Sequence, residues 1–209
     1  VGAWAPALGY QGGALFDTAS NLYGTIFGDP SDWNLIEDKK CLFSGGGSSG
    51  SYVRFPRGMA EGSTRFSIWQ LCYVNQEAPP GRFWANDSDK VVQVRQGNGR
   101  RIEWGISLDG SWDRENTASG VYPLNEWFTW LMEYDSPNLT LWVNGQVVDS
   151  RTTAGGSTNS PNEHTFWGLN SKGGGGGTES GIGGYFGAGL YWEGRCIGDG
   201  GRLLARDPL

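Results

Sequence analysis

The stretch NEWFTWLMEYDSPNLTLWVNGQVVDS, residues 125–150, decides the fold of this chain. Its first aromatic residues recur at helical spacing, which would suit a short helix. Pro137 follows too soon for a helix to continue, however, and aromatic residues favour strands. In a strand, one apolar face is formed by alternate residues: Phe128, Trp130, Met132 and Tyr134. We therefore predict that this face packs in a core and that Glu133 does not, so that Glu133→Gln should have little effect.

Two turns divide this stretch into three strands. The tetrapeptide DSPN at 135–138 has strong turn composition. Asn144-Gly145 suits a two-residue hairpin, because both residues tolerate positive φ. Apolar and polar residues alternate between the two turns, and Val147-Val148 begins the returning strand. The stretch therefore predicts an antiparallel meander.

The same alternation recurs along the rest of the chain. Strand-like segments lie at SYVRFP (51–56), STRFSIWQLCYV (63–74), KVVQVRQ (90–96), RIEWGISLD (101–109), HTFWGLN (164–170) and GYFGAGLYWEGRCI (184–197). The composition agrees, since 36 Gly and 11 Trp in 209 residues suit strands joined by tight turns. Several short strands at this spacing indicate an all-β sandwich or barrel.

One domain is the economical prediction for a chain of 209 residues. Two glycine-rich segments, 44–51 and 171–184, could be linkers, but each lies between strands too few to form independent cores. We therefore interpret both as loops within one domain. The closing segment GRLLARDPL, 201–209, could form only a short helical turn.

Charge and cysteine usage argue against several functions. The net charge is −6, and the densest basic site is Arg100-Arg101, which is too small for a nucleic-acid footprint. No apolar run approaches the ~20 residues that cross a membrane. Cys41, Cys72 and Cys196 match no zinc spacing, and we interpret them as buried or idle thiols rather than functional ones, in a protein assembled in a reducing cytoplasm.

Several segments together resemble the laminin-G-like branch of the concanavalin A-like jelly rolls. They are CLFSGGGSSGSYVRFP (41–56), RFSIWQLCYV (65–74), NEWFTWLMEYDSPNLTLWVNGQVV (125–148) and GYFGAGLYWEGRCIGDGGRLLARDPL (184–209). The opening VGAWAPALGYQGGALFDTASNLYGTIFGDPSDW (1–33) is similar to the leader of laminin-G-like proteins of tailed-phage virions. The resemblance implies one antiparallel β-sandwich over residues 1–209, with residues 1–40 a leader strand and loop region packed on the same sandwich.

Some jelly-roll relatives are glycoside hydrolases with a Glu-x-Asp-x-x-Glu strand, whose two glutamates act as nucleophile and acid/base. Here Glu133 and Asp135 are followed by Asn138 where the second glutamate would stand, and asparagine cannot donate the proton. Alginate-lyase relatives need a histidine and a Tyr-x-Lys, but this sequence has only His164 and no Tyr-x-Lys. We therefore expect a protein that is not an enzyme.

Three tryptophans are candidates for a binding surface. Trp33, Trp84 and Trp112 lie in polar, turn-rich surroundings, and we expect them to be more exposed than Trp130 or Trp142. Exposed indole faces that stack on sugar rings would make a glycan platform. The same side chains could instead cover the ends of the sandwich or anchor a protein–protein interface, where Trp and Tyr are enriched.

The resemblance also implies a calcium site near the rim of the sandwich, with oxygen ligands. FDTASN, 16–21, supplies Asp17 and Asn21 in a loop that resembles the family's Asp-Ser-Gly-Asn loop. The alternative is an Asx-type turn in which Asp17 caps its own backbone. Ala188 and Gly189 stand where relatives commonly keep an Asp, so we expect any calcium affinity to be weak.

Together these inferences predict a non-enzymatic structural or adhesive protein of a phage virion, either a capsid decoration protein or a tail or fibre component. It would be assembled in the host cytoplasm and would dock to other virion proteins. We expect a homo-oligomer in the assembled particle, and contact with host or surface glycans. One alternative is a secreted, extracellular bacterial carbohydrate-binding module. Another is a degenerate glycoside hydrolase or lyase.

Overall fold

The computed structural model describes residues 2–4, 10–11, 14–15, 24–27, 33–36, 39–44, 52–56, 58–77, 81–86, 91–117, 119–160, 164–167 and 182–198. Strands account for most of these residues. In the first half of the chain they are β1 (Gly2–Trp4), β2 (Tyr10–Gln11), β3 (Ala14–Leu15), β4 (Gly24–Phe27), β5 (Trp33–Ile36), β6 (Lys39–Ser44), β7 (Tyr52–Phe55), β8 (Arg65–Val74), β9 (Arg82–Asn86) and β10 (Val92–Gly97). In the second half they are β11 (Arg101–Leu108), β12 (Ser111–Asn116), β13 (Trp127–Asp135), β14 (Asn138–Val143), β15 (Gln146–Thr152), β16 (Thr165–Trp167) and β17 (Gly184–Glu193).

The strands form two antiparallel sheets. Sheet A has the order β15-β14-β13-β8-β17-β6-β5, and β1 pairs with β17 beside β6. Sheet B has the order β12-β11-β10-β9-β16-β7-β4-β3-β2. In both sheets the last strand in sequence lies in the middle: β16 between β9 and β7, and β17 between β8 and β6. The predicted all-β antiparallel sandwich is confirmed.

The predicted meander is present as β13, β14 and β15. Strand β13 pairs with β14 from Trp130 opposite Val143 to Asp135 opposite Asn138, which places the first turn at 136–137. Asn144 and Gly145 have φ values of 49° and 72°, as the hairpin requires. Residues 127–135 are therefore a strand and not a helix.

The core lies between the two sheets. Trp130, Met132 and Tyr134 are fully buried there, as predicted. Phe83 of sheet B reaches across to the ring of Trp130, with centroids 6.3 Å apart, and to the ring of Phe128, at 6.1 Å. These aromatic contacts join the two inner faces.

A bulge in β9 turns two successive aromatic side chains into this core. Trp84 lies opposite Val94 and Arg82 lies opposite Arg95, so Phe83 is an extra residue on β9. Phe83 and Trp84 are both fully buried in the core, although strict alternation would send one of them outward. The prediction that Trp84 is more exposed than Trp130 or Trp142 is therefore wrong.

The outer face of sheet A is also apolar. Trp69, Leu71, Leu131 and Ala188 are buried in a second cluster on this face, and further side chains pack against it: Trp127, Trp142, Leu190, Trp192 and Ile197. Because both faces of β8 and β13 are covered, nearly every residue of these strands is buried. In the described part of the chain there is no helix long and apolar enough to span a membrane.

Candidate functional site

The outer face of sheet B carries polar side chains on its central strands. Val94 and Trp104 point into the core, so the residues that alternate with them point outward. Strand pairing places Gln93 between Gly105 and Ala85 in one cross-strand row. The next row contains Arg95 between Glu103 and Arg82. These two rows place five side chains on one surface. One carries an amide, two carry guanidinium groups, one carries a carboxylate and one is a small methyl group: Gln93, Arg82, Arg95, Glu103 and Ala85.

These polar groups are withdrawn from solvent. Gln93 is 1% exposed, Arg82 is 2% exposed and Glu103 is 9% exposed. The guanidinium of Arg95 forms an ion pair with the carboxylate of Glu103, which satisfies much of the charge on both groups. The Gln93 Nε2 group is buried and has no hydrogen-bond partner among the described residues. A buried donor without a partner is uncommon in proteins and calls for an explanation.

An exposed tryptophan lies at one margin of this surface. Trp112 of the edge strand β12 pairs with Ser107, which faces outward one row beyond Gln93. Its side chain is 37% exposed, and only Val147, on sheet A, is also a large apolar side chain that is exposed among the described residues. The prediction that Trp112 is exposed is confirmed. Its indole lies on the same side of the sheet as the polar rows.

An aromatic pair lies on the same face toward the other margin. Phe27 of β4 and Tyr52 of β7 are opposite each other, with ring centroids 4.9 Å apart and planes inclined by 8°. The guanidinium carbon of Arg54 lies 4.6 Å from the centre of the Phe27 ring, in a cation–π contact. Burial raises the pKa of the Tyr52 hydroxyl, and Arg54 opposes that shift. Tyr52 is therefore a neutral hydroxyl at physiological pH.

We call this surface the sheet B outer face, and it consists of Phe27, Tyr52, Arg54, Arg82, Ala85, Gln93, Arg95, Glu103, Gly105, Ser107 and Trp112. It spans seven adjacent strands, or roughly 29 Å at ~4.8 Å per strand. Aromatic faces, amide and guanidinium donors and a carboxylate acceptor are the groups that bind sugar rings and their hydroxyls.

The other predicted site residues do not join this surface. Trp84 is in the core and cannot offer its indole face to a ligand. Trp33 begins β5 of sheet A, opposite Leu42, and its side chain lies outside the described residues. Asp17 and Asn21 also lie outside the described residues, so the calcium site stays a prediction. Within the described ranges, no group of three or more His, Cys, Asp or Glu side chains could hold a metal ion.

Glu133 is buried on the outer face of sheet A. It faces away from the core, as predicted, but it is only 8% exposed. Its Oε1 atom accepts hydrogen bonds from Ser67 Oγ at 2.9 Å, Ile197 N at 2.6 Å and Gly198 N at 2.8 Å. The carboxylate therefore holds the segment after β17 onto sheet A. The small effect expected of Glu133→Gln stays a prediction, because the glutamine amide also carries an oxygen atom that accepts hydrogen bonds.

Asp135, the second carboxylate of the Glu-x-Asp pair, is held by a different partner. Arg65 Nε donates to Asp135 Oδ1 at 2.8 Å, and Arg65 Nη2 donates to Oδ2 at 2.9 Å. The ion pair raises the pKa of Arg65, first through the hydrogen bond and then through the charge of Asp135. Both carboxylates are thus engaged in structural contacts.

The sequence signal for the sheet B outer face was present but incomplete. In KVVQVRQ and RIEWGISLD, alternation alone places Gln93, Arg95 and Glu103 on the polar side of two strands. Only the register between β10 and β11 puts Arg95 opposite Glu103. Arg82 could not be assigned a face, because the bulge at Phe83 shifts the alternation of β9.

No protein-family model and no curated protein matches the sequence. Solved structures do match the fold. Domain 4 of AbnA, an extracellular arabinanase of glycoside hydrolase family 43 from Geobacillus stearothermophilus, solved in complex with arabinotriose, has 17% identity and a TM-score of 0.73. The match covers 98% of this chain and 97% of that domain. The likeness shows the fold, an all-β antiparallel sandwich.

Botulinum neurotoxin binding domains are also similar. The DC binding domain in complex with SialylT has 12% identity and a TM-score of 0.71, over 99% of this chain and 50% of that one. Cell entry of botulinum neurotoxin type C is dependent upon interaction with two ganglioside molecules, and a structure of this toxin has 12% identity and a TM-score of 0.64. The chain spans about half the length of these binding domains, so their ligands belong to a larger protein.

Proposed function

We propose that this chain is a non-enzymatic glycan-binding β-sandwich that serves as an adhesive component of a phage virion. The observation that carries the proposal is the sheet B outer face, where an exposed Trp112 lies on the same face as the buried side chains of Gln93 and Glu103 and the partly exposed Arg95. A flat aromatic face beside hydrogen-bonding groups suits a saccharide, which has both an apolar ring face and polar hydroxyls.

The likeness to AbnA domain 4 supports a binding role. That domain is matched along nearly its whole length and was solved with arabinotriose, which makes it a carbohydrate-bound sandwich of the same size. The fold alone does not carry a function from one protein to another. The proposal for this chain therefore depends on the aromatic and polar side chains of the sheet B outer face, and not on the fold alone.

The non-enzymatic part of the proposal rests on the two carboxylates of β13. Glu133 accepts three hydrogen bonds from Ser67 and the backbone of 197–198, and Asp135 is bound by both donors of Arg65. A general acid or base must exchange a proton with a substrate within hydrogen-bond reach. Oε1 of Glu133 and both carboxylate oxygen atoms of Asp135 are already hydrogen-bonded within the fold.

The virion setting is supported by the opening residues 1–33, which resemble the leader of phage laminin-G-like proteins. In that setting the chain would be a capsid decoration protein or a tail or fibre component, docked to other virion proteins.

The likeness to AbnA domain 4 favours a second candidate, a secreted bacterial carbohydrate-binding module. Antibody labelling of purified particles distinguishes them, because a secreted module would leave the particles unlabelled.

Binding can be tested by titrating the protein with arabinotriose and with a glycan array. We expect Trp112→Ala to weaken saccharide binding, because it removes the exposed aromatic face. Val147→Ala is the matched control, since Val147 is the other exposed large apolar residue and lies on sheet A. Equal losses in both variants, or no saccharide binding by the wild-type protein, would contradict the proposal.

The absence of catalysis is tested separately. Incubation with laminarin, agar, alginate and carrageenan should release no reducing sugar and no unsaturated product. Turnover that disappears in Glu133→Gln would show that the protein is an enzyme after all. Folding of that variant must be checked by circular dichroism, because Glu133 also supports the structure.

A further inference from the structure

We propose that strand β15 is the contact surface for a second copy of this chain. The second copy would add its own β15 antiparallel to the first, so that sheet A continues across a dimer. The two strands would be related by a two-fold axis through Ser150. The inference goes beyond saccharide binding and does not depend on it.

The first support is the direction of the backbone groups of β15. Thr153 N donates to Pro137 O at 2.8 Å, so these two residues form a hydrogen-bonded pair at the end of the β14–β15 ladder. Hydrogen-bonded and non-hydrogen-bonded pairs alternate along an antiparallel ladder. Arg151 therefore bonds to β14, whereas Ser150 and Thr152 direct their N–H and C=O groups away from sheet A.

The second support is the openness of this edge. Strand β15 has seven residues and ends sheet A, with β14 as its neighbour. Ser150 and Thr152 are exposed, and both have small uncharged side chains. Natural edge strands are commonly protected from pairing by lysine, proline or a bulge. The bulge of β15 lies at Val148, and the ladder from Asp149 to Thr152 is regular.

The third support is charge complementarity about Ser150. When Ser150 lies opposite itself, Asp149 lies opposite Arg151 of the second copy, and Arg151 lies opposite Asp149 of that copy. Opposite charges in cross-strand pairs are stabilising. Charged residues normally discourage pairing at an edge, but opposite charges two residues apart make this strand complementary to itself.

The same charges also select one register. The backbone groups of Ser150 and Thr152 can pair only in registers that differ by one step of the two-fold axis along the strand. Moving the axis to Arg151 would place two arginines opposite each other, and moving it to Asp149 would place two aspartates opposite each other. Like charges directly opposite are destabilising. The axis through Ser150 avoids both arrangements.

Contacts within the chain hold this edge in an extended form. Asp149 accepts a hydrogen bond from Trp104 Nε1 at 3.2 Å, and Arg151 pairs with Asp113 at 3.0 Å. Both side chains therefore lie on the inner side of β15, away from the exposed Ser150. A second copy meets a strand that is already ordered, which lowers the entropy cost of association.

The oligomeric state of the full chain tests the proposal. Sedimentation equilibrium at increasing protein concentration should show a reversible equilibrium between monomer and dimer. Ser150→Pro should leave a monomer, because it removes the N–H group at the axis, and proline is tolerated on an edge strand where that group faces solvent. Ser150→Ala is the matched control, because it keeps the N–H group and should still dimerise. Circular dichroism checks that each variant is folded.

Two charge variants test the position of the axis. Ser150→Lys places two lysines opposite each other and Ser150→Glu places two glutamates opposite each other, so each should weaken dimerisation about fivefold. An equimolar mixture should recover the dimer, because a lysine then faces a glutamate, and misfolding cannot produce that gain. Thr152→Lys is the control, since Thr152 lies opposite Val148 and the two lysines would be roughly 14 Å apart at ~3.4 Å per residue.

The outcomes decide between this surface and others. A monomer at every concentration would overturn the proposal, and so would a dimer that persists in Ser150→Pro. If Thr152→Lys weakens association as much as Ser150→Lys, or if the lysine and glutamate variants do not recover a dimer when mixed, the two-fold pairing about Ser150 is wrong.

Discussion

Glu133 holds a segment of the chain through a single carboxylate oxygen. Three donors converge on Oε1: Ser67 Oγ, Ile197 N and Gly198 N. Glu133→Ala should lower the free energy of unfolding by about 2–3 kcal/mol, because the buried donors lose a charged acceptor. Urea denaturation measures this. Asp135→Asn, on the same strand and the same face, is the control and should change stability little, since its ion pair with Arg65 is exposed.

Gln70 presents the opposite case, because its amide stabilises nothing in the described structure. The side chain is fully buried on the inner face of sheet A, and neither Nε2 nor Oε1 has a partner among the described residues. Gln70→Leu should raise the free energy of unfolding by about 1–2 kcal/mol, since an apolar group of similar size removes the desolvation cost. A lower melting temperature would show that the amide has a partner.

Trp130 marks the centre of the core. It is fully buried and packs against Phe83 of the opposite sheet. Trp130→Ala should cost about 3–5 kcal/mol of folding stability, through lost burial and the cavity that remains. Trp112→Ala is the comparison, because Trp112 is partly exposed on an edge strand and its loss should be much smaller. Equal losses in chemical denaturation would contradict the assignment of inner and outer faces.

At this scale the sequence predicted side-chain faces well only where alternation is regular. The face of Trp130, Met132 and Tyr134 followed from the period of two in β13. Trp84 was misassigned, because a one-residue bulge cannot be seen in a single strand without its partner. The face of Glu133 followed from the same alternation, but its burial did not, since its hydrogen-bond partners lie more than 60 residues away in the chain.

Strand β15 is an edge strand of sheet A, and its side chains form contacts with sheet B. The Arg151 guanidinium pairs with Asp113 of β12, at 3.0 Å from Nη1 to Oδ1, and also donates to the Asp113 carbonyl. Its Cζ atom lies 5.3 Å from the centre of the Trp104 ring. Trp104 Nε1 in turn donates to Asp149 Oδ2 at 3.2 Å. These contacts join the two sheets at one side of the sandwich.

Removing the contacts between Arg151 and Asp113 should increase local opening of the edge strands β12 and β15. Arg151→Met keeps an unbranched side chain over Trp104 but loses the bonds to Asp113. We expect faster amide hydrogen exchange in β12 and β15, with little change in β8, which lies in the middle of sheet A. Arg65→Met, which removes the exposed pair with Asp135, is the control. Uniform acceleration in all strands would mean that Arg151 supports the whole fold.

At the level of elements, the sequence predicted where the strands lie better than it predicted which strands pair with each other. The meander β13-β14-β15 was accessible because its turns are short and carry diagnostic residues. The pairing of β8 with β17 was not, because no local signal links residues more than 100 positions apart. The sheet B outer face depends on such pairings, which is why Arg82 and Gln93 escaped notice.

Over the whole molecule, three cysteines stay as thiols rather than disulfides within the described residues. Burial, and then the charges of Glu133 and Asp135, raise the pKa of Cys196 from 9.0 to about 11. Burial likewise raises the pKa of Cys72. Folding therefore keeps these protons on, while the unfolded chain releases them near pH 9.

Stability should accordingly decline at alkaline pH. Below pH 9 both states of Cys196 are protonated, and the stabilising difference is fully present. Between pH 9 and about 11 the unfolded state loses its proton first, so the free energy of unfolding falls. Melting temperatures measured from pH 7 to 11 should show this decline, and Cys196→Ser should reduce its slope. An identical slope in that variant would assign the decline to other groups.

The order of the strands in each sheet has a consequence for how the protein is made. Both sheets consist of two halves that only β16 and β17 join. A nascent chain of 160 residues would expose unpaired inner edges on β8, β6, β9 and β7, and such edges recruit foreign strands. Productive folding must therefore wait for the closing strands to leave the ribosome, and a message truncated before them would encode an aggregating fragment rather than a smaller domain.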